Sequence, residues 1–147
     1  MRRIRVDDYL SVIDRLCVTA VDELARPSQI AKTLGISTGY VSTTLLRLAE
    51  DGLVIHQPHA GAKLTELGRV RLRRFVHRLR ITELLLEALL NWDQESVAAE
   101  AHQLEPAISD SLLETFDSYL GFPRVDRHAQ KIVRPDGALP TLSSPPI

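Results

Sequence analysis

The sequence predicts a mainly α chain in two parts, a three-helix head closed by a β-hairpin and an all-helical body behind it. Three observations predict this. Apolar residues recur at three- and four-residue spacing through most of the chain, which is the helical period. That period lapses once, after Gly52, where Leu53-Val54-Ile55 and Lys63-Leu64-Thr65 flank the turn-forming run Pro58-His59-Ala60-Gly61. Charge also divides the chain. Residues 1–80 carry fourteen Lys and Arg against eight Asp and Glu, a net +6, whereas residues 81–147 carry four against eleven, a net −7. A basic half beside an acidic half points to a polyanionic partner for one end only.

The elements follow in order. Leu10, Ile13, Cys17, Val21 and Leu24 place one apolar stripe on a helix over residues 7–25. Pro27 opens a short second helix, in which Ile30, Ala31 and Leu34 face inward, and Gly35 supplies the left-handed stop. Ser37 is the expected N-cap of a third helix, with Val41, Leu45 and Leu48 as its buried stripe. The hairpin comes next. Helix, short helix, tight turn, helix, hairpin is the order of a winged helix-turn-helix, and RPSQIAKTLGISTGYVSTTLLRLAEDGLV is its strongest segment.

A long helix is expected over residues 66–90, basic at its start (Arg69, Arg71, Arg73, Arg74, Arg78, Arg80) and apolar at its end (Leu84, Leu85, Leu86, Ala88, Leu89, Leu90). An end apolar nearly all round must be buried. Helices near 94–104 and 109–120 form a thin cover, so a partner subunit completes the core in this reading. The expected division is 1–70, a winged helix-turn-helix DNA-binding domain; 71–132, a helical dimerisation domain; and 133–147, a disordered tail with Pro135, Pro140, Pro145 and Pro146.

Size and composition bound the rest. A chain of 147 residues with 44% hydrophobic residues holds one domain or two small ones sharing a core. No apolar run approaches the roughly 20 residues that span a bilayer, and MRRIRVDDYL lacks the apolar stretch of a signal peptide. The single cysteine, Cys17, excludes an internal disulfide and reads as a small core residue. The expected location is cytoplasmic, with no membrane partner. No nucleophile–base pairing or phosphate loop suggests an enzyme.

The second helix of such a motif fits the major groove and turns its first residues to base edges. With Val41, Leu45 and Leu48 buried, its other face carries Gly39, Thr43, Leu46 and Glu50. The expected DNA-binding residues are Ser37, Thr38, Gly39, Tyr40, Ser42, Thr43, Arg47 and Lys63. Thr38, Ser42 and Thr43 offer short donors and acceptors, Arg47 holds a phosphate, and Lys63 with the backbone at Gly61 does the same from the wing. His56 and His59 fall in the wing, solvated or near phosphate. The expected partners are a palindromic double-stranded DNA operator and a second copy of the chain, as a homodimer.

Read further, the sequence resembles the diphtheria-toxin-repressor family, which includes iron-dependent repressors and manganese transport regulators. DDYLSVIDRL, IAKTLGISTGYVSTTLLRLAEDGLV, the wing ending GAKLTELG, and above all AHQLEPAISDSLLETFDSYLGFP carry the likeness. It runs from Asp7 to about Pro140. The resemblance implies a repressor with an N-terminal DNA-binding domain and a helical dimerisation domain, activated by a divalent cation, Mn2+ or Fe2+. It places this chain among short members that lack a further SH3-like domain.

The resemblance also implies a ligand set. Asp8 falls where manganese-type members carry a carboxylate, Glu105 on the glutamate of an E-H pair, and His102 where members have Cys or Glu. Glu83 matches a glutamate of an ancillary site. Four positions depart from the pattern: Leu79 and Pro106 replace ligand histidines, Ala98 the ancillary-site histidine, and Ser11 a manganese-type glutamate. His77 lies two residues from Leu79 and so points to a different face. His128 matches a histidine of a P-H-G segment, with Ala129 replacing the glycine. His102 and Glu105 share a helix face. With Asp8 they either supply three ligands for Mn(II), Fe(II) or Zn(II) or form a hydrogen-bonded set without metal. A metal-independent winged-helix regulator and a winged-helix protein-interaction module are the alternative functions.

Overall fold

The computed structural model of the chain describes residues 3–126 and 130–134. Contacts divide the chain into two compact units, Met1–Leu72 and Arg73–Ile147. The division falls inside a helix, not in a linker.

The first unit contains α1 (Val6–Thr19), α2 (Pro27–Leu34), α3 (Thr38–Glu50), β1 (Val54–Gln57), β2 (Gly61–Leu64) and the start of α4 (Glu66–Leu89). Asp8 opens α1 by accepting the Arg5 amide at 2.8 Å, which satisfies one N-terminal donor. The helix ends at Thr19, earlier than the apolar spacing to Leu24 suggests. The reason lies in the sheet. Ala25 leaves the helical path and exchanges both backbone hydrogen bonds with Ala62, at 2.8 and 2.9 Å, so it forms a third rung beside the hairpin. Glu23 turns the chain into that rung with a left-handed φ of 56°. Val21, counted above in the buried stripe, is fully exposed, and Cys17 is only half-buried, its Sγ donating to the Ala62 carbonyl at 3.4 Å.

The remaining signals act as their chemistry dictates. Pro27 sits in the first turn of α2, and Gly35 stops that helix at φ 69°. Ser37 caps α3, its Oγ accepting the Tyr40 amide at 3.2 Å. β1 and β2 pair antiparallel in the register Val54↔Leu64 to Gln57↔Gly61, and their bounds differ by one to two residues from the expected strands 53–55 and 63–65. The core gathers Leu10, Ile13, Ile30, Val41, Leu45, Leu48, Leu53, Val54, Ala62 and Leu64, all buried.

The second unit holds the rest of α4, α5 (Gln94–Leu104), a 3-10 turn (Glu105–Ala107) and α6 (Asp110–Tyr119). Asp93 caps α5 through the Ser96 amide, which lowers the Asp93 pKa, and Ser109 caps α6 through the Leu112 amide. One cluster joins Ile81, Ile108, Leu113 and Ile132, with Leu84, Phe116 and Leu120 against it. A second joins Leu86, Val97 and Ala101, with Leu79 and Leu90. Leu85 is buried, but Leu89 is 62% exposed. The segment after α6 folds back: Ile132 is buried, its amide bonded to the Arg124 carbonyl at 2.9 Å. Arg134 grips Asp117 at 2.6 and 2.8 Å, so the expected disordered tail does not begin at Val133. The rest of that expectation, from Pro135, lies outside the described residues, as do His128 and Ala129. Among the described residues, no helix is long and apolar enough to cross a membrane.

Candidate nucleic-acid interface and the remnant of a metal site

The first unit turns one face of α3 outward. Burial of Val41, Thr44, Leu45 and Leu48 fixes the rotation of the helix. Tyr9 of α1 is buried under it, its hydroxyl beside Thr44, and that burial raises the Tyr9 pKa. Thr38, Gly39, Tyr40, Thr43, Leu46 and Arg47 are exposed, Ser42 is partly covered, and Ser37 holds the N-cap. Seven of the eight expected DNA-binding residues are thus on α3 or its cap. Lys63, the eighth, is half-buried in β2, paired with Ile55.

The wing is held by a residue that the sequence reading did not single out. Arg26, at the cap of α2, donates Nη1 to the Ala60 carbonyl in the hairpin turn and Nη2 to Asp22 at 2.5 Å. A basic residue before Pro27 gave no sign of this, because Ala60 is 34 residues away. Gly61 enters β2 at φ 149°, with the Ala25 carbonyl only 2.6 Å from where a Cβ would lie. Only glycine fits that approach.

In the second unit the sequence-predicted ligands have other partners. The Glu105 carboxylate is buried and accepts from Arg78 Nε at 2.7 Å. The same guanidinium donates to the Glu105 carbonyl at 3.1 Å, to the Ile108 carbonyl, and to Asp110 at 2.7 Å. Arg78 therefore ties α4 to the corner between α5 and α6. Glu83 accepts from Arg80 at 2.8 Å. His102 is buried with its ring edge-on to Phe75, centroids 6.3 Å apart. Asp8 belongs to the first unit, where it caps α1.

Two family models match in tandem along this chain. An iron-dependent repressor N-terminal DNA-binding domain covers residues 4–62, and an iron-dependent repressor metal-binding and dimerisation domain covers residues 65–134. The chain belongs to the iron-dependent repressor family. This repressor-family protein is 32% identical to an HTH-type transcriptional regulator of Aeropyrum pernix, over 92% of this chain and 74% of that one. It is 31% identical to the transcriptional regulator MntR of Salmonella typhimurium, over 82% and 73% respectively. Among solved structures, a manganese-dependent transcriptional repressor in complex with manganese is 35% identical, with a TM-score of 0.75. That match covers 92% of this chain and 61% of the other, so the repressor-family protein spans about three fifths of that relative.

The family's second domain is described as metal-binding, so the donors here can be tested against a cation. They do not fit as arranged. Among the described residues, no group of three or more His, Cys, Asp and Glu side chains is placed to hold a metal ion. The acid that the resemblance makes a ligand, Glu105, is neutralised by a guanidinium, and Leu79, at a ligand-histidine position, packs into the Val97–Ala101 cluster.

Proposed function

We propose that this protein is a DNA-binding transcriptional repressor that binds a two-fold symmetric operator as a homodimer, with α3 in the major groove and the hairpin against the backbone. The observation that carries this reading is the outward face of α3. It is capped by Ser37, fixed in rotation by four buried residues, and left open with Arg47 at its flank. The family's dimerisation domain supplies the two-fold axis, and half-sites then lie about one duplex turn apart or a multiple of it. A cytoplasmic setting accords with such a role.

The test is selection from a random duplex pool, followed by gel shift and footprinting. A repeated half-element is expected. Arg47→Ala should weaken binding to all sequences and reduce the salt slope by about one. An asymmetric footprint without repeated elements would overturn the model.

The names of the relatives bring Mn(II) and Fe(II) to this chain as the class of controlling cation. In this protein Arg78 already holds one oxygen of the Glu105 carboxylate, so an ion bound there competes with a guanidinium, and weak cation binding is the expected outcome. Parallel gel shifts with and without chelator read that control directly.

A further inference from the structure

The reading face of α3 is short of the groups that identify bases by paired hydrogen bonds. Such readout relies on Arg or Lys against guanine and Asn or Gln against adenine. Between Thr38 and Leu46 the helix has none of these. Two of its hydroxyls are also committed. Ser42 Oγ donates to the Thr38 carbonyl at 3.0 Å, and Thr43 Oγ1 donates to the Gly39 carbonyl at 3.1 Å. Each side chain spends its one hydroxyl proton on its own helix.

Beside the Thr38 and Tyr40 hydroxyls, what is left is apolar. Thr43 keeps a γ-methyl outside its hydroxyl bond. Tyr40 is 60% exposed and Leu46 is 56% exposed, both unusual for large side chains with no cover inside the unit. At 100° per residue, Thr43 and Leu46 lie about 30° to either side of the outermost line of the helix, which Gly39 and Glu50 occupy, and Tyr40 lies on the flank shared with Arg47. Tyr40 to Leu46 spans about 9 Å along the axis, against roughly 3.4 Å per base step. The three side chains thus match two to three consecutive base pairs.

One base presents a hydrocarbon group in the major groove, the 5-methyl of thymine. We propose that α3 selects its operator chiefly by packing the Thr43 methyl, Leu46 and the Tyr40 ring against thymine methyl groups, while Arg47 holds the backbone. Leu46, absent from the residue set that the sequence suggested, becomes a specificity-determining residue. The proposal rests on the DNA-binding reading and goes further by naming the chemical feature that is read.

The test uses the full-length protein and duplexes recovered from a random pool. Each half-site should hold two or more thymines in its footprint. Replacing them with deoxyuridine removes the methyl and leaves every hydrogen-bonding edge intact. Affinity should fall about fourfold per methyl in contact. Thr43→Ser keeps the hydroxyl and removes the methyl, and Leu46→Ala shortens an exposed side chain, so both variants fold. Each should bind the thymine duplex more weakly and lose part of the discrimination against deoxyuridine. Equal binding of thymine and deoxyuridine duplexes by the wild-type protein would overturn the proposal and leave DNA binding intact. Undiminished discrimination in both variants would overturn the assignment to these residues. Failure to recover any duplex would instead remove the DNA-binding reading on which the proposal stands.

Discussion

Single side chains decide what the second unit can do. Arg78 is 8% exposed and uses its donors on Glu105, Ile108 and Asp110. Removing one partner of a buried ion pair costs about 3–5 kcal/mol, so Arg78→Gln should lower the melting temperature by many degrees. The same variant uncovers the Glu105 carboxylate. Isothermal titration should then show tighter Mn(II) binding than in the wild type, and indistinguishable titrations would show that Arg78 is no competitor. Asp117 gives a pH signature. Burial raises its pKa, more than Arg134 and the His77 ring 3.8 Å away lower it. A raised acid favours folding most while protonated, below about 3.9, its ordinary value. That contribution fades as pH rises through the folded value. The melting temperature of Asp117→Asn minus that of the wild type should therefore change with pH across this window and be level above it. A difference constant throughout would mean that Asp117 titrates as in the unfolded chain.

Elements were legible wherever a local signal ends them. Pro27, Gly35, Ser37 and Ser109 announce helix boundaries through chemistry confined to one turn, and each does so in the structure. The end of α1 was not legible, because Ala25 leaves it to pair with Ala62, a partner 37 positions further on. The start of α4 shows the same kind of distant constraint. Thr65 Oγ1 accepts the Gly68 amide at 3.0 Å and donates to the Gly52 carbonyl at 2.6 Å, which draws α4 against the end of α3. A Cβ on Gly68 would lie 2.1 Å from the Leu53 carbonyl oxygen. Overpacking of this kind typically costs about 1–3 kcal/mol. Gly68→Ala should cost at least the upper part of that range in urea unfolding, with the loss of DNA affinity that a displaced wing brings. A change within experimental error would mean that α4 shifts freely at its first turn.

Across the whole molecule, the sequence carried the order of the elements and the outward face of α3, since both rest on periodicity. It did not carry side-chain partnerships such as Arg78–Glu105, which join α4 to a corner 27 residues later. Nor could it divide the leucines at the end of α4 between internal and external cover. Leu85 is buried, whereas Leu89 and, just beyond the helix, Trp92 are 62% and 52% exposed. Within a dimerisation domain, that exposure predicts a place for both in the contact with a second copy. Leu89→Glu should give monomers at micromolar concentration by analytical ultracentrifugation, because desolvating an unpaired carboxylate costs several kcal/mol, while the melting of the isolated subunit changes little. A wild-type protein that sediments as a monomer would remove the dimer altogether.

The return of the chain after α6 sets where this protein can be shortened or extended. Ile132 closes the cluster of Ile81, Ile108 and Leu113, and Arg134 clamps Asp117 two residues later. A chain cut after Gln130 would lose both and open a void under α6, whereas a cut after Arg134 keeps both. A fluorescent reporter, an affinity tag or a second effector module spliced in before Ile132 would cost both anchors, so it belongs downstream of Arg134.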